Sequence, residues 1–391
     1  MTPPGPRPAL WLLVVMTGLG PFTMQILIPA LPRIAADLAV PYGAAQLTLT
    51  LFLVGVALGQ LIYGPLSDRF GRRPVLLWAL SLYLVASALS AFAPSMAWLG
   101  LGRVAQAMGA CSGMVLGRAI IRDVWPREQA ASRIGYVVMA MTLAPMIAPM
   151  AGALIEEHSG WRTAMLACLL FGAPLFLAVW LRLPETLREP QPLPGLRGMG
   201  RAYMSLLSLP AFRWIAAVGA ASTGVFFGFM AGAPKVAATM GYSPRDYATA
   251  FIAVSVFFAC GSWLAGRYSS RLGLARMLSA GLWVIVAGAA IMLAVQLFLP
   301  HTLMGFFLPM ALVALGNGIS LPNAVAAAIS VRPERAGTAS GLLGAMQMGF
   351  GALMTIVNGA LESGAGIATA LVMAGCGIGS TIALRGARRY L

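Results

Sequence analysis

The stretch Gly64-Pro65-Leu66-Ser67-Asp68-Arg69-Phe70-Gly71-Arg72-Arg73-Pro74 joins two long apolar runs, 44–66 and 74–93. It sets a lone carboxylate among three arginines, between glycines that permit a tight turn and close backbone approach. Its pattern returns 202 residues later, where Gly266, Ser269, Arg271 and Gly273 stand for Gly64, Ser67, Arg69 and Gly71. A second match has the same offset: Pro32-Arg33-Ile34-Ala35-Ala36 reappears as Pro234-Lys235-Val236-Ala237-Ala238. Two matches at one offset point to a duplicated unit.

The runs on either side of the loop are members of a longer series. The 391 residues are 59% hydrophobic and 9% charged, against roughly 25% charged in a soluble domain. Twelve apolar stretches fall near 9–31, 44–66, 74–93, 97–121, 133–155, 161–183, 211–233, 247–268, 275–299, 303–329, 337–360 and 365–385. Each is long enough for a bilayer span of about 20 residues. In lipid the backbone must satisfy its own hydrogen bonds, so continuous apolar runs read as helices and not as barrel strands. The first stretch is too long for a signal-peptide core and is read as span 1. The expected fold is an all-α membrane bundle of twelve helices in two pseudo-symmetric halves. The Pro-, Gly- and Arg-rich connection 184–210 divides it into six-helix units at 1–183 and 211–391.

A net charge of +15 would suggest nucleic acid in a soluble protein, but its distribution points to the bilayer. All the basic residues except Arg33, Arg103, Arg162, Lys235 and Arg245 fall on one side of the twelve-span topology. This positive-inside bias puts both termini in the cytoplasm, and the excess of arginine over lysine suits a GC-rich bacterium and its inner membrane. Cys111, Cys168, Cys260 and Cys376 lie in spans and read as small buried hydrophobes, not as disulfide or metal groups.

Energy-transducing and catalytic alternatives are poorly supported. Lys235 is the only lysine and follows Ala233-Pro234, so there is no Walker A sequence. His158 and His301 form no His-Glu-x-x-His motif, and no filter sequence or charged ring marks a channel. Parallel six-helix repeats suit a transporter with its site between the halves and alternating access by rocking. Expected partners are the lipid bilayer and a small-molecule substrate, with no cofactor, no enzymatic activity and a monomeric state.

The loop 64–74 resembles the signature loop of the major facilitator superfamily. That resemblance implies a gate of Gly64, Asp68, Arg69, Gly71 and Arg72, closed by Asp68 facing the start of span 11 near Gly337 and Thr338, with Arg118, Arg122 and Asp123 beside it. Span 4 begins Leu101-Gly102-Arg103-Val104-Ala105-Gln106, similar to a second motif of the superfamily. An arginine within a span costs about 2.5–3.5 kcal/mol on insertion scales. Arg103 therefore reads as a cavity-facing cation for substrate or proton movement, or else as one that snorkels to the interface. Pro145, Pro149 and Gly152 in span 5 resemble a motif linked to drug:proton antiporters.

Further matches narrow the branch. Ile28-Pro29-Ala30-Leu31-Pro32, Arg118-Ala119-Ile120-Ile121-Arg122-Asp123, Leu183-Pro184-Glu185-Thr186-Leu187 and Ala336-Gly337-Thr338-Ala339-Ser340-Gly341 together resemble the Bcr/CflA-type drug resistance group over nearly the whole chain. The resemblance implies multidrug or antibiotic efflux driven by the proton gradient. One departure is Gln25, where that group usually has an aspartate. No carboxylate lies mid-span, leaving Asp37, Asp68 and Asp123 to bind protons and favouring a neutral or anionic substrate over a lipophilic cation. Gln25, Gln106, Asn317 and Gln347 are pocket candidates. The alternatives are an exporter of an endogenous metabolite or siderophore, an importer, and, more distantly, a transport-inactive sensor on the same fold.

Overall fold

The computed structural model describes residues 8–125, 133, 137, 144–187, 189, 190, 195–299, 301–332 and 335–390, and these are helical apart from short joints. In chain order the helices are α1 (Leu10–Gln25), α2 (Leu31–Asp37), α3 (Tyr42–Phe70), α4 (Arg72–Ala91), α5 (Met96–Val124), α6 (Ala144–Ser159), α7 (Trp161–Arg182), α8 (Gly195–Leu207), α9 (Pro210–Thr239), α10 (Pro244–Leu272), α11 (Leu274–Phe298), α12 (Leu303–Ser330), α13 (Ala336–Leu361) and α14 (Ile367–Ala387). Among the described residues eleven segments are long and apolar enough to cross a membrane, α1 and α2 together forming the first. Helix α6 belongs to the expected span 133–155, most of whose first half lies outside the described residues.

Local sequence explains the joints. Pro29 has no N–H to continue the ladder of α1, which stops at Gln25; a 3-10 turn over Ile28–Ala30 leads into α2. Span 1 is thus a broken helix reaching Asp37, not a continuous one ending at 31. Ser95 accepts from the Trp98 N–H at the start of α5, and Ser243 and Asp246 form a capping box on α10. Between α3 and α4 the expected two-glycine turn shrinks to one residue. Helix α3 runs through Gly64 and Pro65, and only Gly71, at φ 99°, turns the chain. Gly273 repeats that joint at φ 84°, so the two copies share a backbone conformation as well as a sequence pattern.

The 184–210 connection holds an amphipathic helix that its Pro/Gly/Arg composition hid. Leu206 of α8 is buried, while Arg197 and Arg201 are exposed. The Tyr203 hydroxyl donates to the Leu61 carbonyl at 2.9 Å. Pro65, four residues beyond Leu61, cannot supply the N–H that this carbonyl would otherwise receive. Tyr203 replaces it.

Most helix pairs lie within α1–α7 or within α9–α14, and the two sets meet mainly where α3 lies extensively on α13 and where α6 lies on α10. Small residues make the crossings possible. A Cβ on Gly113 would collide with the Met16 carbonyl of α1, and one on Gly109 would lie 2.5 Å from the Ala79 carbonyl of α4. Gly337 does not follow this pattern, because a Cβ there meets nothing within 4 Å. Trp78, Leu101, Leu170, Trp263 and Phe298 are all more than half exposed, as a lipid-facing perimeter requires. Cys260 is exposed on that perimeter, while the other three cysteines are buried as expected. The chain is a multi-pass membrane protein.

Overpacking a well-filled contact costs about 1–3 kcal/mol. Gly113→Val should lower the thermal midpoint of the purified protein and reduce its yield. Gly18→Val, at a position where a Cβ meets nothing within 4 Å, should change the midpoint little in the same fluorescence-detected melting assay.

Candidate functional site

Arginines gather at one end of the bundle, and Arg72 organises them. Its Nε donates to Asp123 Oδ2 at 2.9 Å, and Nη1 donates to Ser67 Oγ at 2.6 Å and Asp68 Oδ1 at 2.5 Å. One guanidinium therefore ties the end of α3 to the end of α5. Its side chain is 9% exposed, against 23% for Asp123 and 46% for Asp68. Below it, Glu185 receives the backbone N–H groups of Arg72 and Arg73 at 3.0 and 3.1 Å, capping the start of α4. Gly71 leaves room for that carboxylate, since a Cβ there would stand 2.5 Å from Glu185 Oε2.

The expected contact of Asp68 with the start of span 11 is not the one observed. Asp68 turns to Arg72, because a mostly buried guanidinium left without carboxylates would be costly. Arg118 is the residue that reaches α13, donating to Ser340 Oγ at 3.4 Å. Arg69 and Arg122 are exposed. Gly64, expected in close approach, and Gly337, expected near Asp68, each have open space where a Cβ would go.

A second polar cluster lies inside the first helix set. Arg103 is 1% exposed, so it neither snorkels to an interface nor opens into a cavity in this conformation. Its Nη1 donates to the Thr23 carbonyl at 3.2 Å and to Gln106 Oε1 at 2.5 Å, and its guanidinium lies 4.3 Å from the Phe52 ring centroid. Gln106 Nε2 passes the bond on to Ser87 Oγ at 2.8 Å. Tyr83 donates to the Cys168 carbonyl at 3.1 Å and shares a 2.9 Å bond with Thr23 Oγ1. Arg103 belongs to none of the three ion pairs among the described residues; carbonyl, amide and ring hold it instead. Gln25 lies two residues beyond Thr23, buried, with its Oε1 unpartnered.

At the opposite end the two sets are bonded across their seam. Tyr42 Oη donates to the Ala231 carbonyl at 3.0 Å, and Gln46 Nε2 donates to the same oxygen. Thr50 and Thr355 share a 2.6 Å hydroxyl bond deeper in. Lys235 Nζ donates to the Glu362 carbonyl at 2.6 Å and lies 5.5 Å from the Tyr42 ring centroid. The Glu362 carboxylate, 4% exposed, accepts the N–H groups of Gly364, Gly366 and Thr369 at the start of α14. Asp37 pairs with Arg33 at 3.0 Å and accepts from Trp161 Nε1 at 3.2 Å.

The remaining candidates stand apart. Gly152 packs against the Ile26 carbonyl where α1 breaks, and Pro149 is buried inside α6. The side chain of Pro145 lies outside the described residues. Asn317 is fully buried with both amide atoms unpartnered, and Gln347 faces Gly219 of α9. The structure therefore joins Arg103 to Gln106 and Asp68 to Arg72 and Asp123, but leaves Gln25, Asn317 and Gln347 separate. Sequence reasoning missed Glu185, Tyr83 and Tyr42. A glutamate two residues past a span end, and tyrosines within or at the start of spans, were the available signals.

A hydrogen bond to a charged group contributes about 1.5–3 kcal/mol. Arg72→Ala should lower unfolding stability by about that amount, Arg72→Lys should recover part of it, and Asp68→Asn, at the more exposed of its two carboxylate partners, should cost less. Melting in detergent at fixed pH checks the order.

Comparison with known proteins agrees with this architecture. Residues 13–356 match the model of the Major Facilitator Superfamily. The chain is 33% identical to a chloramphenicol resistance protein of Pseudomonas aeruginosa over 80% of its own length and 72% of the relative's. It is 30% identical to multidrug resistance protein D of Escherichia coli, covering 89% and 87% of the two chains. Its fold superposes on a D-xylose–proton symporter with a TM-score of 0.78 at 15% identity, covering 98% and 97%. The loop at Gly64–Pro74, the helical bundle and the family match agree: this chain belongs to the Major Facilitator Superfamily and is a membrane transporter, not an enzyme.

Proposed function

We propose that this transporter is a secondary-active exporter of small, uncharged or anionic amphiphiles, of the Bcr/CflA drug resistance type, driven by the proton gradient across a bacterial cytoplasmic membrane. On this reading the chain divides at 184–210 into two six-helix units, works as a monomer, and keeps both termini and the arginine-rich end in the cytoplasm. The observation that carries the reading is the seam. Its described polar contacts are neutral hydroxyls, amides and carbonyls plus the Arg118–Ser340 bond and the Lys235–Tyr42 cation–ring contact, and no ion pair crosses it among the described residues. A neutral hydrogen bond contributes only about 0.5–1.5 kcal/mol net, so the two sets can part and rejoin at small cost.

Substrate charge follows from what surrounds the pathway. Gln25 supplies an amide where a carboxylate would attract a lipophilic cation, and Arg103 adds a buried positive charge with no carboxylate beside it. Both favour neutral or anionic cargo, in keeping with the chloramphenicol and multidrug names of its relatives. Asp37, held by Arg33 and Trp161, is the proton-binding candidate, with Asp68 and Asp123 at the gate.

The test uses everted membrane vesicles with an acid interior and a pH-sensitive dye. Chloramphenicol should trigger proton release while a lipophilic cationic dye should not, and Asp37→Asn should uncouple drug uptake from that release. Arg103→Ala and Asp68→Ala should each abolish transport while membrane insertion is unchanged. Full transport by both variants would overturn the site assignment, and vesicles that neither release protons nor accumulate any drug would overturn export itself.

A further inference from the structure

A groove at the arginine-rich end of the second helix set plays no part in the pathway described above. It lies between α11 and α14, has a volume of about 140 Å³, and is walled by Leu282, Trp283 and Leu384. Ser279 and Thr381 contribute hydroxyls, and Arg385 and Arg388 stand at its mouth. Both hydroxyls donate to carbonyls of their own helices, to Ala275 at 2.8 Å and Gly377 at 2.9 Å. Among the described residues neither guanidinium has a hydrogen-bond or ion-pair partner.

The surroundings identify what such a groove can accept. Trp283, Ile378 and Ile382 are 66%, 55% and 56% exposed, so the groove opens onto the lipid-facing perimeter. It offers two unpaired cations above and an apolar wall below. An amphiphile with an anionic head and hydrocarbon tails matches both parts, whereas a free anion would use only the first. At the corresponding place in the first set, between α4 and α7, the arginines meet the protein's own groups. Arg73 donates to the Trp180 carbonyl at 2.7 Å, and Arg182 lies 5.9 Å from the Trp11 ring centroid. The duplicated fold has thus filled one of two related positions with its own groups and left the other with bare arginines.

We propose that the α11–α14 groove binds the phosphodiester headgroup of an anionic phospholipid, gripped by Arg385 and Arg388, with its acyl chains running along Trp283, Ile378 and Ile382. Bound there, the lipid fastens α11 to α14 at the edge of the second helix set. The binding energy comes from two charge-assisted contacts and from chains that remain in a hydrocarbon environment.

The experiment follows melting of the full-length protein in neutral detergent during titration with phosphatidylglycerol, phosphatidylcholine or inorganic phosphate. Phosphatidylglycerol should raise the midpoint, and the other two should not. Arg385→Gln with Arg388→Gln should weaken the phosphatidylglycerol response by about 10- to 30-fold. Ser279→Phe, which fills the groove while both arginines remain, should weaken it as well. Arg197→Gln with Arg201→Gln, which removes the same charge from α8, should leave it intact. The proposal fails if the Arg385/Arg388 double variant responds like the wild type, if the α8 pair loses the response equally, or if inorganic phosphate gives the same stabilisation.

Discussion

Every backbone N–H and C=O that enters lipid needs a partner within the protein, and the structure is organised by the places where proline denies one. Pro65 leaves the Leu61 carbonyl without an N–H, and Tyr203 supplies a hydroxyl in its place. Pro29 denies an N–H to the Gln25 carbonyl and ends the ladder of α1, and in the last turn of that helix Arg103 donates to the Thr23 carbonyl. In the first case the repair draws the linker helix onto α3; in the second it fixes a cation inside the first helix set. A residue that looks like a packing defect in one dimension becomes an attachment point in three.

Charge at the arginine-rich end obeys a similar economy. Arg72 is mostly buried, so its five N–H donors must be matched with acceptors close at hand. Asp68, Asp123 and Ser67 are those acceptors, and Glu185 holds the backbone on which Arg72 sits. The second copy keeps the backbone joint at Gly273 but has Ser270 and Leu274 where the first has Asp68 and Arg72. The two copies share the geometry but not the electrostatics. The Asp68–Arg72 clasp of the first copy therefore has no counterpart at positions 270 and 274 of the second.

Much of the fold was legible because its signals are long. Apolar runs, arginine placement and a repeated offset each integrate over many residues, and together they gave the bundle and its repeat. The site was less legible because its bonds are short and cross between helices. Arg103 was recognisable as costly, yet no spacing rule says that it would be sheltered by Gln106, the Thr23 carbonyl and Phe52 rather than by a carboxylate. Asp68 was recognisable as a lone acid, but its partner depends on how α3 and α4 meet at Gly71. Helix α8 was hidden by glycines that lower helix propensity, and it is held instead by the burial of Leu206 and the Tyr203 bond.

Lys235 sits where Tyr42 of one helix set meets α9 and α13 of the other, its amine engaged by the Glu362 carbonyl. It is also the only lysine in 391 residues. Amine-directed chemistry therefore has one side-chain target in the whole molecule, at a contact between the two helix sets. Acylation of that one side chain, told apart from the chain's α-amine by peptide mapping, becomes a reporter of that contact, slow while the amine is held and faster once it is released, without any engineered label.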